Sequence, residues 1–491
     1  MPSFRPSLIA SAALLGALQG CGDDSARPVE VAVIGDPGGL MATGPRLPAS
    51  AQLLRSAISE GLVGFDEQGR VTPALADRWI VTDDGLSYIF RLRDGTWPDG
   101  SEITGESARA ALLRAITAVR GTPLGLDLAV IGEVRTMAGR VIEIRLDRQS
   151  PDLLQLLAQP ELGLLNRGRG AGPMRLVSSK NGALLRLIAP EDRGLPAEED
   201  WGERVRRLRL AAMPGSKAVE AFNAGEADLV LGGRVEDFPR LDASGVPRGA
   251  IRLDPVSGLF GLMVVRGDGF LGKPENREAL AMAIDRDALA TALNIGGWSS
   301  TTRVVNPGLA GDDGSVGERW PGRSLDDRRA QASKRVDEWK SGGKEIAPIR
   351  IALPSGPGAD VVFKRLAADL EAVGLKARRV GSGADTDLRL VDTVARYARA
   401  DWFLNQLSCG NARGLCSPTA DQLATKAQQE SDPAKRADLY AQAEAQLTIA
   451  NNYLPLGVPI RWSLVSGGVT GFAVNPWNIH PLVPLALKPR R

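Results

Sequence analysis

Asp84-Gly-Leu-Ser-Tyr-Ile-Phe-Arg-Leu-Arg-Asp-Gly95, followed by Trp97-Pro-Asp-Gly-Ser-Glu-Ile-Thr104, is the stretch on which the fold of this chain turns. Its centre, Ser87 to Leu92, is rich in β-branched and aromatic residues and reads as a strand. Asp83-Asp84-Gly85 before it and Asp94-Gly95 after it are turn signals. Thr104 then stands where a helix N-cap belongs, because a hydroxyl there accepts from an otherwise unpaired backbone N–H. Leu112, Leu113, Ile116 and Val119 share one face of the helix that follows.

The same alternation extends in both directions. Val29 to Ile34 reads as a strand, broken by Gly35, Pro37, Gly38 and Gly39. Residues 49–62 carry Leu53, Leu54, Ala57, Ile58 and Leu62 at helical spacing. Residues 205–234 and 346–392 read as α/β units. In the second, Ile349 to Leu353 is a strand and Val362, Phe363, Leu366, Leu370 and Val373 form a helical stripe. Gly374 ends that helix, and a strand follows from Leu375 to Val380. Asp432-Pro433 is a helix start, with Leu439, Tyr440, Ala443 and Leu447 as the buried face. Residues 303–324, rich in Gly, Pro and Asp, read as a long surface loop. The chain is therefore α/β.

Composition narrows the function. The chain has 491 residues, 43% hydrophobic and 24% charged, enough for several domains with real cores. The net charge of +2 leaves no basic excess for a nucleic-acid backbone, so no nucleic-acid partner is expected. One histidine, His480, excludes histidine-rich metal sites and most catalytic triads. Gly342-Gly343-Lys344 lacks the spacing of a phosphate loop. Gly168-Arg-Gly-Ala-Gly172 puts Pro173 where a dinucleotide fingerprint needs its last glycine. No Gly-x-Ser-x-Gly elbow occurs. The acidic pairs Asp83/Asp84 and Asp326/Asp327 fall in turns or helix starts, where capping explains them. Neither an enzyme nor a cofactor is expected.

The N-terminus points to export. Arg5 precedes an apolar run from Leu8 to Leu18, too short to span a bilayer as a helix. The run ends in Leu18-Gln-Gly-Cys21, which resembles the cleavage site of a bacterial lipoprotein precursor. On that reading residues 1–20 are the signal peptide, Cys21 carries the lipid and residues 21–28 are a flexible tether. The alternative is an ordinary secretion signal with an incidental cysteine. No second apolar run approaches 18 residues, so the membrane would be reached through the lipid alone. Cys409 and Cys416, seven apart across a loop with Gly410, Asn411 and Gly414, are expected to form a structural disulfide.

Several segments together resemble the bacterial extracellular solute-binding proteins of family 5, the oligopeptide- and dipeptide-binding type. They are Glu60-Gly-Leu-Val63, Thr72-Pro-Ala-Leu-Ala-Asp-Arg-Trp79 and the stretch from Asp84 to Thr104. Gly170-Ala-Gly-Pro173, Ala221 to Asp228, Asn276 to Arg286, Asp432 to Leu447, Tyr453-Leu-Pro-Leu456 and Gly471-Phe472 continue the likeness over nearly the whole chain. The resemblance implies a two-lobed periplasmic binding protein of three domains, with a hinge between the lobes. Domain I would take residues 29–50, 160–255 and 470–491, domain II residues 51–159, and domain III residues 256–469. It also implies a monomer anchored in the cell envelope. Such a protein captures a peptide or other small solute in the cleft and delivers it to the permease subunits of an ATP-binding-cassette (ABC) importer.

In peptide-binding members of that family an Asp pairs with the α-ammonium of the ligand. Counting back from Cys409, its position falls near Ala395, beside Arg396 and Arg399, with Asp392 or Asp401 as replacements. A carboxylate facing an ammonium is a strong contact, and its replacement by Ala and Arg favours an anionic ligand instead. The candidate ligand-binding residues are Arg396, Tyr397, Asp401, Trp402, Asn405, Trp298 and Trp477. The alternatives are the same fold binding an anionic non-peptide solute, and a sensor or interaction lipoprotein that does not transport.

Overall fold

The computed structural model describes residues 27–180 and 182–489. The segment read above as a signal peptide, Cys21 and most of the segment read as a tether lie outside them. Three sheets organise the described chain. The opening stretch forms as read: Ser87–Leu92 is a central strand of a four-stranded antiparallel sheet, between Ala76–Val81 and Val141–Leu146, with Ile131–Thr136 at the edge. Thr104 caps the helix Gly105–Ala118 in a reciprocal box with Ser107. Leu112 and Val119 are buried, and Leu113 and Ile116 pack against the same core.

A seven-stranded mixed sheet holds the N-terminal strand Val29–Ile34 at its centre. That strand pairs in parallel with Leu208–Met213 and Leu229–Gly233, the two strands of the predicted unit at 205–234. A five-stranded sheet has the order Ala377–Gly381, Ile349–Leu353, Leu388–Val394, Gly258–Val264, Tyr453–Gly457. Helix Pro357–Glu371 buries Val362, Leu366 and Leu370 on it, and Gly374, at φ +78°, stops the chain as expected. The helix Pro433–Ala450 is capped by Asp432 and buries Tyr440, Ala443 and Leu447.

Three expectations are corrected. The helix read over 49–62 ends at Ile58. Past it, Gly61 and Leu62 carbonyls accept from Leu75 and Ala76, so ladder pairing outcompetes another helical turn. Trp462–Val465, placed by sequence in the second lobe, is a strand of the seven-stranded sheet, paired to Leu229–Gly233 and Ile251–Leu253. The loop at 303–324 has no regular element, but its start is not at the surface. Arg303 is buried and pairs with Asp312 at 2.9 Å and Glu444 at 2.8 Å, while Glu444 also accepts from the Val304 and Val305 amides. That network pins the loop to helix Pro433–Ala450.

The chain passes from the seven-stranded to the five-stranded sheet through 254–257 and returns through 458–461. The two passages touch: the Asp254 amide donates to the Arg461 carbonyl at 3.1 Å. Two short crossings side by side make a hinge between two lobes.

Candidate functional site

Two charged clusters occupy the seam between the lobes. The first lies at the hinge. Arg461 is buried, and its Nη1 donates to Asp392 Oδ1 at 2.8 Å. Arg234, from the turn after Leu229–Gly233, reaches the other Asp392 oxygen at 3.8 Å. Glu236 stands nearby, its carboxyl pushed up by burial and then by the Asp392 charge. Asp392 lies in the strand Leu388–Val394, two residues before its end, so the pair ties second-lobe backbone to the crossing.

The second cluster joins the four-stranded extension to the segment after that strand. Its positions are built in steps. Ala395 donates to Ser257 O in the hinge at 2.8 Å. The Ala400 amide donates to Ala310 O at 2.9 Å, so the loop pinned by Arg303 also holds the start of helix Ala400–Gln406. Against that helix packs the short helix Pro123–Asp127, capped by Thr122. Asp127 Oδ1 accepts from Tyr397 OH at 3.2 Å and from Asn405 Nδ2 at 3.0 Å. Its Oδ2 is buried with no partner among the described residues. Burial pushes the Asp127 carboxyl up to about 7, against the pull of Arg396. Asp152 rises to about 6, again by burial, with Arg399 pulling down and Asp401 pushing up. Arg399 lies between the two, 3.4 Å from Asp152 and 3.5 Å from Asp401.

Of the sequence candidates, Arg396, Tyr397, Asp401 and Asn405 therefore come together at this seam. The other three do not join them. Trp402 is 0% exposed and stacks edge-on against Phe403, so it is a core residue rather than a ligand shelf. Trp298 donates to Val458 O at 2.8 Å and braces the return crossing. Trp477 donates to Gly69 O at 2.9 Å, holding the C-terminal segment to the hairpin of Val63–Phe65 and Val71–Pro73. Asp392 is taken up by Arg461 and is not a free carboxylate.

Sequence reasoning missed Asp127 and Asp152, which the fold brings to this seam. Asp127 had a signal, being the one charge in Leu124-Gly-Leu-Asp-Leu-Ala-Val130. Arg413 sits on the loop closed by the Cys409–Cys416 disulfide, which forms as expected, with Cα atoms 5.1 Å apart.

Cavities of about 520 Å³ and 880 Å³ also open on the first-lobe side. Both border the buried pairing of Arg93 and Arg193 with Glu60, and neither is lined by Arg396, Tyr397, Asp401 or Asn405. Among the described residues no cluster of metal-ligating side chains occurs, and no helix is long and apolar enough to cross a membrane.

Comparison with known proteins agrees with this architecture. The family model for bacterial extracellular solute-binding proteins, family 5 Middle, matches residues 70–414. Di/tripeptide-binding protein 4 of Pseudomonas aeruginosa is 25% identical, covering 85% of this chain and 87% of the relative. The glutathione-binding protein GsiB of Escherichia coli is 21% identical, over 87% and 88%. Among solved structures, the Escherichia coli murein tripeptide binding protein MppA superposes with a TM-score of 0.80 at 18% identity, covering 94% of this chain and 99% of that one.

Proposed function

This chain belongs to the bacterial extracellular solute-binding proteins of family 5, and we propose that it captures a peptide or peptide-like solute between its lobes for the permease of an ABC importer. The observation that carries the reading is the hinge: two lobes, each with its own sheet, joined by two short crossings, with charged side chains facing across the seam. A solute touching both lobes binds the closed arrangement better and shifts the population towards it, and the closed shape is what a permease can recognise. Curated relatives with peptide-binding names support the peptide class. The proposal includes a monomer held to the membrane by a lipid on Cys21, supported by the apolar run and the Leu18-Gln-Gly-Cys21 site. It also includes three domains, one around each sheet.

Native mass spectrometry of the gently purified protein tests it. The expected result is a bound small solute, with small-angle scattering showing compaction when that solute is added back to stripped protein. A protein that neither carries a solute nor compacts with any di- or tripeptide or acidic metabolite overturns the transport reading in favour of a non-transporting lipoprotein. Detergent partition of native protein and Cys21→Ala tests the anchor: equal partition of both overturns it.

A further inference from the structure

The larger cavity on the first-lobe side, about 880 Å³, lies away from the seam cluster, and the receptor reading makes no use of it. Three parts of the chain wall it. Helix Ala49–Ile58 presents Ala51, Leu54, Arg55 and Ile58, spaced three and four apart and so on one helical face. The turn at 96–100, from the four-stranded extension, brings Trp97 and Pro98. The segment at 165–176 runs into the strand Met174–Ser178. That segment is fixed to the helix. The Gly172 amide donates to Ile58 O at 3.1 Å, and a Cβ on Gly172 would lie 2.3 Å from the Ile58 carbonyl carbon. Helix and segment therefore meet without room to shift.

The lining is strongly cationic. Arg55, Arg93, Arg169, Arg175 and Arg193 stand against one carboxylate, Asp192. Arg93 and Arg193 both bind Glu60, two cations to one carboxylate, so that group keeps a net positive charge. The side chains of Arg55, Arg169 and Arg175 make no hydrogen bond or ion pair with a described residue. Arg169 and Arg175 are exposed, but Arg55 is half-buried, and its Nε is enclosed without a partner among the described residues. Burial pushes the Arg55 guanidinium down, and the charge pulling it back, Glu161, neither pairs with it nor lines the cavity. A cation partly withdrawn from water without a counter-ion is costly, and an incoming anion relieves that cost. The remaining wall is largely apolar, with Leu54, Ile58, Trp97, Leu165, Met174 and Ile188. Met41 also lines the cavity and is 52% exposed, so it stands at the mouth. Apolar walls with a few directed polar groups, at this volume, are the usual form of a small-molecule site.

We propose that this cavity is a second ligand site, separate from the interlobe seam, which takes an anionic amphiphile: a carboxylate bound by Arg55, with an aliphatic body against the apolar wall. Walls of one charge sign focus the field and draw the opposite sign. A guanidinium fork meets a carboxylate through paired, charge-assisted hydrogen bonds. The apolar wall selects the body, since aliphatic surface leaves water there. Every wall belongs to the first-lobe side, so this ligand does not bridge the lobes. The site goes beyond the receptor reading and does not depend on it.

Calorimetric titration of the full protein with decanoate, acetate and decyltrimethylammonium tests this. Decanoate is expected to bind at least tenfold tighter than either control, because acetate lacks the body and decyltrimethylammonium reverses the charge. Arg55→Gln should weaken decanoate at least tenfold, with Arg55→Lys losing less. Met41→Ser should weaken it at least threefold. Unchanged melting by circular dichroism shows that each variant is folded. Met41 is exposed, so Met41→Ser keeps the test open if Arg55→Gln melts early. Small-angle scattering should show no compaction with decanoate. The site is overturned if decanoate fails to bind or binds no better than either control. It is overturned equally if decanoate affinity survives folded Arg55→Gln, or survives Met41→Ser. Compaction on adding decanoate places the amphiphile between the lobes and overturns a separate site. None of these outcomes removes the receptor reading, which rests on the solute carried in the seam.

Discussion

Asp127 is held where its charge is least welcome, buried and with one oxygen unpartnered among the described residues. Its folded pKa of about 7 lies above the ordinary carboxylate value, so between roughly pH 4 and 7 the folded state binds a proton that the unfolded state has lost. Stability therefore falls as pH rises through that window, and Asp152, raised to about 6, acts in the same direction. Asp127→Asn removes the ionisation while keeping an oxygen for Tyr397 and Asn405. Melting curves from pH 4 to 8 should show a flatter profile for the variant, with a gain at pH 8 on the order of 2–4 kcal/mol. A variant whose profile parallels the native one shows that the Asp127 carboxyl does not titrate in this window. Arg303 is the opposite case, a cation fully matched. Arg303→Ala leaves Glu444 and Asp312 buried without their counter-ion and should cost about 3–5 kcal/mol in chemical denaturation.

At the scale of elements, most of the strands and helices were legible because period and caps agree. The box of Thr104 with Ser107 and the Asp432-Pro433 start are local chemistry and needed no tertiary context. The helix after Ala49 was read too long because Leu62 keeps the helical period, while its backbone is claimed by a ladder to Ala76 that the period cannot show. Two element-level predictions follow from close contacts. Gly258 opens the strand Gly258–Val264 at φ +153°, and a Cβ would lie 2.1 Å from Thr393 O. Gly258→Ala should destabilise the second lobe by at least about 1 kcal/mol, measured by thermal melting. Opening the Cys409–Cys416 disulfide should cost about 2–3 kcal/mol and loosen the Arg413 loop. Reduction or Cys409→Ser/Cys416→Ser should therefore lower the melting temperature.

On the scale of the whole molecule, the apolar cores do not respect the sheets. Leu124 and Leu128 of the extension share one core with Trp402, Phe403 and Leu404 of the second lobe. Closing the seam thus buries apolar surface as well as charge, and a solute needs to supply only the difference. Scattering profiles should accordingly contract when a bridging solute binds, and high salt should weaken that contraction if charge across the seam drives it. The α/β class, the solute-binding family and the disulfide were determined by the sequence itself, because turn residues, caps and periodic apolar positions act between near neighbours. The charge environment of Arg396 was not. Asp127 lies 269 positions from it, and only the docking of helix Pro123–Asp127 against helix Ala400–Gln406 brings the two to one place. Electrostatic interaction depends on distance through space and on burial, and neither is a property of spacing along the chain.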